Sequence, residues 1–281
     1  MQEAQQMVGD LKNVELFDIA TNDAWMRDYG PQFLAGSEET SHAAPPALVD
    51  WRFNSWGNKY PPFDADDAVP RQIAELTKRR RFVPGVVLEG GAIDANSRAT
   101  LLAAEQCLLD PNRNQNLSRA DMETLLADYC GATHILWLSG EIAGDDTEGH
   151  VDQLARFVDP TTIVAALAED QADENYRPLR DNFDRLKTMT DEQGRSLEVI
   201  ALPMPRPVLY NETRLPASYV NFYIANGVVI VPQFDDPADQ RVLGIISELF
   251  PDRQILGLDA IDLVLGLGTF HCITQPEPRW Y

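Results

Sequence analysis

Residues 221–234, NFYIANGVVIVPQF, carry the clearest local pattern in this sequence. Two runs of β-branched and aromatic residues flank Asn226 and Gly227, the pair that most often joins antiparallel strands through a type I′ turn. In residues 236–250, apolar side chains then recur at helical spacing, with Asp236 or Asp239 as a candidate cap. A hairpin followed by an amphipathic helix predicts a mixed α/β unit.

Strands and helices alternate in the same way along the rest of the chain, but not as regular βαβ units. Turn signals recur at intervals of about 50 residues, which favours a repeated α/β unit around an axis over one doubly wound sheet. Ser118 is a candidate cap for one of the helices. Predicted strands lie in residues 13–20, 85–95, 133–139, 162–167, 197–204, 219–234 and 254–266, and predicted helices in 67–81, 118–130, 173–189 and 236–250.

Composition limits the class of protein. The 281 residues are 44% hydrophobic, and no stretch reaches the roughly 18 apolar residues of a membrane span. The N-terminus lacks the basic and apolar regions of a signal peptide, and three cysteines, an odd number, favour a reducing compartment. The net charge of −21 disfavours nucleic acid and anionic membranes as partners, and favours small cationic ligands. The alternative is that the charge only keeps the surface soluble. We therefore expect a cytoplasmic protein.

Cys272 stands near the end of the chain, in LGLGTFHCITQP, where a glycine-containing approach allows a sharp bend. A nucleophilic thiol needs a base or cation that lowers its pKa, and a third group that orients the base. His150 fits the first role and Glu89 the second. His271 is a poor base for Cys272, because adjacent side chains of a strand face opposite ways. The alternative for Cys272 is a small buried apolar residue.

His150 and Asp152 belong to an acidic cluster, GDDTEGHVDQLARFVD, and on a strand their spacing would point both side chains the same way. Such a cluster first suggests a metal site. The sequence has no HExxH motif and no second histidine close to His150, so we expect no metal.

Asp28 and Asp152 both interrupt apolar or aromatic surroundings. Two carboxylates in one pocket would bind a planar guanidinium cation through paired hydrogen bonds. Attack of a cysteine on the central guanidinium carbon, with a histidine protonating the departing nitrogen, gives ammonia and then a ureido product. For Asp28 alone, the alternative is a strand-end carboxylate paired with Arg27.

Five ordered motifs resemble those of the agmatine deiminase family, which belongs to the guanidine-modifying pentein enzymes. The resemblance implies a five-bladed α/β propeller of pseudo-symmetric repeats, built as a single catalytic domain over residues 1–281. Because little chain precedes the first motif, it also implies an N-terminally short domain with an incomplete first blade. Upstream residues or a partner subunit of a homo-oligomer would then cover that edge. The motifs are NDAWMRDYGPQF, LEGGAID, DDTEGHVDQLARFV, SYVNFYIANGVVIVPQFDDPAD and FHCITQP.

The resemblance also implies an activity and a site. The activity is conversion of agmatine and water to N-carbamoylputrescine and ammonia through a covalent cysteine intermediate, without metal or organic cofactor. One alternative is a deiminase of arginine or peptidyl-arginine, which would need a cation such as Arg27 or Arg214 to bind the substrate carboxylate. Another is an inactive, shortened paralogue that binds a cationic ligand. The implied site consists of Cys272 as nucleophile, His150 as general acid/base, Asp28 and Asp152 as guanidinium ligands, Glu89 as the group that orients His150, and Trp25 as a substrate contact.

Overall fold

Four three-stranded sheets with one shared topology make up most of the fold. The computed structural model describes residues 2–35 and 46–278. In each sheet the first strand pairs antiparallel with the second, and the second pairs parallel with the third. A helix leads from the second strand to the third, since parallel strands require a long crossover. This repeated ββαβ unit confirms the predicted mixed α/β architecture.

Strands and helices have the following bounds. The four sheets consist of β1 Gln32–Leu34, β2 Ala47–Val49 and β3 Arg81–Phe82; β4 Ile93–Ala95, β5 Thr100–Ala104 and β6 His134–Leu138; β7 Ala155–Phe157, β8 Thr162–Leu167 and β9 Glu198–Pro203; and β12 Tyr223–Ile224, β13 Val228–Gln233 and β14 Gln254–Asp259, with a separate hairpin of β10 Leu209–Tyr210 and β11 Thr213–Arg214. The helices are α1 Gln2–Val8, α2 Met26–Tyr29, α3 Ser55–Asn58, α4 Asp64–Asp67, α5 Val69–Thr77, α6 Glu105–Leu108, α7 Arg119–Cys130, α8 Val151–Leu154, α9 Tyr176–Leu186, α10 Ala238–Leu249 and α11 Ile261–Val264. Among the described residues, no helix has the length and apolar character needed to cross a bilayer.

All four predicted helices are present, as α5, α7, α9 and α10. The start of α7 confirms the predicted cap: the Ser118 side chain accepts a hydrogen bond from the Asp121 amide, and the Asp121 side chain accepts one from the Ser118 amide. Met122 and Leu126 of this helix are fully buried, as the apolar spacing predicts. At α10, the Asp236 side chain accepts a hydrogen bond from the Ala238 amide at 2.8 Å, so Asp236 supports the helix start.

Several local predictions are wrong, among them the strand predicted over residues 85–95, where only β4 is a strand and the short 3-10 turn Gly90–Ala92 precedes it. The hairpin of β12 and β13 is present, but neither Asn226 nor Gly227 has a positive φ, so its turn is not type I′. Residues 254–266 do not form one strand, because β14 ends at Asp259 and α11 follows it. The Asp259 side chain accepts a hydrogen bond from the Ile261 amide at 2.9 Å, and this local contact favours a turn over continued extension.

Residues 13–20 were predicted as a strand but form none in the structure. A strand needs a neighbour for its backbone hydrogen bonds, and no described strand pairs with this segment. Leu11, Val14 and Phe17 are each at least 40% exposed. The apolar pattern of the segment is real, but only Leu16 and Ile19 are partly buried, and Ile19 packs against the aromatic side chains around Trp25.

The first strands of the four units converge. Residues of β1, β4, β7 and β12, together with the segment 271–276, line one cavity. A second group of side chains packs outside the main core around Trp25, Phe53 and Trp56, and it includes Cys272. The segment with His271 and Cys272 therefore lies between this cavity and an aromatic wall.

Candidate active site

A cavity of about 210 Å³ brings together residues that are far apart in the sequence. All of the predicted site residues except Glu89 line it: Trp25, Asp28, His150, Asp152 and Cys272. Glu89 is fully buried behind the cavity wall and faces His150.

Asp28 lies in α2 and is held by two donors. The Gly91 amide donates to its Oδ1 and the Trp56 indole nitrogen to its Oδ2, both at 3.0 Å. Burial raises the pKa of Asp28, although His150 opposes the shift. The alternative, in which Asp28 pairs with Arg27, is wrong, because Arg27 lines the separate cavity formed by β1, β4, β7 and β12.

The His150 imidazole lies between two carboxylates. Its Nδ1 is 3.7 Å from Asp28 Oδ1, and its Nε2 is 3.6 Å from Glu89 Oε2. Burial alone would disfavour the imidazolium, but Asp28 and neighbouring acceptors hold the pKa of His150 well above its usual value. The surroundings of His150 therefore favour its protonated form.

Glu89 is ionised in spite of its burial. The Arg113 Nε lies 2.9 Å from both of its oxygens, and the Cys107 thiol donates to Oε2 at 3.1 Å. Burial would raise the pKa of Glu89, but Arg113 and His150 outweigh it and lower the pKa to about 2. Glu89, Cys107 and His150 are close enough to hold a metal ion, yet Arg113 already supplies the positive charge next to Glu89.

Asp152 has one oxygen in use and one available. Its Oδ2 is 2.7 Å from His271 Nδ1 and 3.6 Å from Cys272 Sγ. Its Oδ1 is buried and has no hydrogen-bond partner among the described residues. Burial, with Asp28 adding to it and His150 opposing it, raises the pKa of Asp152 to about 7. A buried acceptor without a partner in a cavity wall is suited to bind a ligand N–H group.

The spacing of His150 and Asp152 suggested a strand, but neither residue lies on one. His150 directly precedes α8, and Asp152 is in its first turn. Both side chains still reach the same cavity. The sequence also gave no role to His271, because a strand was assumed there. Residues 269–274 instead form a turn, closed by hydrogen bonds such as Ile273 N to Thr269 O at 3.3 Å, and the turn directs His271 onto Asp152.

Cys272 contacts Asn221 and Asp152, and no hydrogen bond joins it to His150 in the described part of the chain. Asn221 Nδ2 is 3.2 Å from the sulfur, and Asn221 Oδ1 accepts from the Thr269 hydroxyl at 2.7 Å. Burial, followed by the charges of Asp152 and Asp28, raises the pKa of the Cys272 thiol well above its usual value. A cation bound between the carboxylates would offset their effect on the thiol.

The glycines before Cys272 allow close packing. A Cβ on Gly268 would lie 2.6 Å from the Trp25 ring and 3.1 Å from Cys272 Sγ, and one on Gly266 would lie 2.7 Å from the same ring. The positive φ in this approach belongs to Leu267, at 74°. The sharp bend that the sequence predicted therefore does not use a glycine, and the glycines are needed where Trp25 covers the chain.

Comparison with known proteins gives this site its context. The model of the Porphyromonas-type peptidyl-arginine deiminase family matches residues 1–278. The chain belongs to this family. It is 39% identical to a Latilactobacillus sakei protein that carries the provisional name agmatine deiminase, over 98% of this chain and 80% of that protein. The resemblance found in the sequence motifs is thus confirmed.

Solved structures agree with this family assignment. The agmatine deiminase of Enterococcus faecalis superposes with a TM-score of 0.90 at 34% identity, covering 99% of this chain and 81% of that one. The C. jejuni agmatine deiminase with substrate bound gives a TM-score of 0.88 at 35% identity, covering 98% and 79%. An amidinotransferase from Microseira wollei shares the fold at 12% identity, with a TM-score of 0.55 over 91% of this chain and 68% of that one.

Proposed function

We propose that this member of the family is a hydrolase that converts agmatine and water to N-carbamoylputrescine and ammonia. The observation that carries the proposal is the convergence of two buried carboxylates, Asp28 and Asp152, with the Cys272 thiol in one cavity. The carboxylates fit a planar guanidinium, and the thiol can attack its central carbon. Relatives named as agmatine deiminases support this substrate over other guanidines.

The first half-reaction forms the covalent intermediate. Binding of the guanidinium between Asp28 and Asp152 neutralises the charges that raise the pKa of Cys272, and the thiol releases its proton to solvent. The thiolate bonds to the guanidinium carbon. The C–N bond to the terminal nitrogen then breaks, and the imidazolium of His150 donates the proton that lets this nitrogen leave as ammonia. His150 is now neutral, and Cys272 carries a positively charged amidino group.

The second half-reaction uses water. Neutral His150 takes a proton from water as the oxygen bonds to the same carbon, and the C–S bond breaks. The ureido product loses its extra proton to solvent, and the cysteine leaves as a thiolate. Glu89 does not touch the substrate in this scheme. It holds the charged imidazole through the 3.6 Å contact, and Arg113 keeps Glu89 ionised.

The mouth of the cavity favours agmatine over arginine. Asp23 and Asp146 line it, while the two arginines that were candidates for a carboxylate receptor do not. Arg27 lines the other cavity, and Arg214 is paired with Asp173 at 2.8 Å. Lys59 contacts the backbone of Asp146 but is paired with Glu148 at 2.6 Å. An acidic mouth attracts the second ammonium of agmatine and repels the carboxylate of arginine.

The proposal includes the arrangement of the whole domain. The four ββαβ units are four blades of a five-bladed pentein propeller, within one catalytic domain over residues 1–281. The joint lining of one cavity by β1, β4, β7 and β12 supports blades arranged around an axis. Residues 13–20 then belong to the first blade, which is incomplete among the described residues.

Ammonia release from agmatine, arginine and a peptide with C-terminal arginine, measured side by side, tests the proposal. We expect turnover of agmatine, with kcat/KM at least about 100-fold lower for the other two, a difference of roughly 2.7 kcal/mol. Equal or faster turnover of arginine would instead favour the arginine deiminase alternative. Binding of agmatine without release of ammonia would identify an inactive paralogue.

A further inference from the structure

A second cavity, of about 230 Å³, lies on the other side of the segment that carries Cys272. It shares no lining residue with the first cavity among the described residues. His271 connects the two, because it lines the second cavity while its Nδ1 contacts Asp152 in the first. Nothing in the proposed reaction uses the second cavity.

Two nearly buried arginines line this cavity, Arg27 at 9% and Arg156 at 5% exposure. Asp94 is the one carboxylate that the described part of the chain places in its lining. Asp94 is already engaged, since its Oδ1 is 3.2 Å from Arg156 Nε and its Oδ2 accepts from the Phe157 amide at 2.8 Å. One positive charge of the pair therefore has no salt-bridge partner among the described residues, although the charges of Asp152 and Asp94 act on it from a greater distance.

That charge is the guanidinium of Arg27. Its Nε donates to the His271 carbonyl at 3.2 Å, and its two terminal nitrogens have no hydrogen-bond partner among the described residues. Burial, and then the charge of Arg156, lower the pKa of Arg27 to about 10. An anion that accepts hydrogen bonds from both terminal nitrogens would stabilise this buried guanidinium.

We propose that this second cavity binds the carboxylate of a small organic acid, with Arg27 as the paired donor. The side chains of Phe33, Ile93 and Ile224 line the same cavity and would cover the apolar part of the acid. An inorganic anion has no apolar part to pack against these side chains. We therefore assign an organic carboxylate.

A carboxylate bound in the second cavity would affect the backbone segment that carries Cys272. The Arg27 amide donates to the Cys272 carbonyl at 2.9 Å, and its side chain holds the carbonyl of the preceding residue. Asp28, a guanidinium ligand in the proposed reaction, directly follows Arg27. A carboxylate that fixes the Arg27 side chain therefore stabilises the backbone between the two cavities.

The thermal unfolding midpoint of the full chain at neutral pH tests the proposal, with butyrate replacing chloride at constant ionic strength. We expect a saturable rise of about 2 °C at tenfold above the dissociation constant. Arg27→Gln should remove the rise, because the donor is lost. Ile224→Glu should also remove it, because it adds a carboxylate to the lining. Arg71→Gln, at an exposed position of α5, is the matched control and should keep it.

The two variants make the outcome decisive even if Arg27→Gln does not fold. The proposal is overturned if butyrate gives no saturable rise over chloride, or if Ile224→Glu responds to butyrate as the unaltered chain does. Because the readout is binding, its failure would leave the proposed deiminase activity untouched. Failure of agmatine turnover would equally leave this site to be judged on its own.

Discussion

The pKa of each buried ionisable side chain at the site depends on which charged groups lie next to it. Arg113 lies next to Glu89 and keeps it ionised, whereas no cation in the described part of the chain lies as close to Asp152, and the pKa of Asp152 rises to about 7. His150 takes its proton because it lies between two carboxylates. Asp28 and Asp152 therefore form an incompletely compensated pair of carboxylates next to the His150 imidazole, and a guanidinium would add the missing positive charge.

Asp28→Asn and Asp152→Asn should each lower kcat/KM for agmatine at least about 100-fold, roughly 2.7 kcal/mol, because a desolvated charge partner of the guanidinium is lost. Steady-state ammonia release measures the effect. Asp181→Asn, on the exposed face of α9, is the control and should be neutral. A loss of less than about threefold, under 1 kcal/mol, in either site variant would mean that its carboxylate does not bind the substrate.

The pH profile should show the titration of Asp152. Because burial raises its pKa to about 7, the carboxylate that binds the guanidinium is populated above that pH and lost below it. We expect log kcat/KM to rise with pH through about 7, and to fall at alkaline pH where His150 loses the proton it donates. Profiles between about pH 5 and 9 would check this, with circular dichroism as a control for folding. A flat acid side would contradict the assignment.

The sequence could predict which residues line the candidate site, because their motifs are local and ordered. It could not predict their partners. Asn221 reaches Cys272 from 51 residues away, and His271 reaches Asp152 across 119 residues. Neither contact has a periodic or compositional signal. Cys107 shows the same limit, because no local pattern around it indicates that it lies in α6 and donates a hydrogen bond to Glu89.

Among the elements, the short 3-10 turn Gly90–Ala92 brings backbone directly into the site. Its Gly91 amide binds Asp28. A Cβ on Gly91 would lie 2.5 Å from His150 Nδ1 and 2.8 Å from Asp28 Oδ1. The turn can approach the side chains of His150 and Asp28 this closely only because Gly91 has no side chain.

Gly91→Ala should therefore lower kcat/KM at least about 100-fold, because the added methyl group displaces His150 or Asp28. The matched control is Gly244→Ala in α10, where nothing lies within 4 Å of the added Cβ. That change should leave activity unaltered and raise the free energy of unfolding by about 0.4–1 kcal/mol. Turnover and chemical denaturation of the two variants would decide. Full activity of Gly91→Ala would show that the site tolerates a shift of these residues.

Element prediction succeeded where the pattern was internal to the element. The capping box and apolar face of α7 are both local, and the structure contains both. Prediction failed where contacts with other residues determine whether a strand forms or continues. Residues 13–20 have strand composition, but no strand within residues 2–35 and 46–278 pairs with them. Residues 254–266 have one apolar pattern that the turn at Asp259 divides into β14 and α11.

For the molecule as a whole, the sequence indicated a repeated α/β unit but not how the strands of each unit pair. Turn spacing suggested repeated α/β units, and four ββαβ units are present in the described residues. The parallel register, such as Val228 opposite Gln254, joins segments across a helix and leaves no local trace. The resemblance to a known family supplied what periodicity did not.

The net charge of −21 should affect encounter with a dication. We expect kcat/KM for agmatine to fall severalfold between low salt and about 0.5 M salt, with a smaller change in kcat, since screening weakens steering but not the chemical step. Steady-state kinetics at several ionic strengths would measure this. A kcat/KM that does not change would show that the charge of the surface serves another purpose.

The central claim is that Cys272 forms a covalent bond to the guanidinium carbon. Acid quenching during agmatine turnover, followed by mass spectrometry of the digested protein, tests it most directly. We expect an amidino adduct on the peptide that contains Cys272. Cys272→Ala should show neither adduct nor turnover and should still bind agmatine, while Cys130→Ala, at the end of α7, should show both adduct and turnover. Turnover by the Cys272→Ala variant, or an adduct on another residue, would contradict the claim.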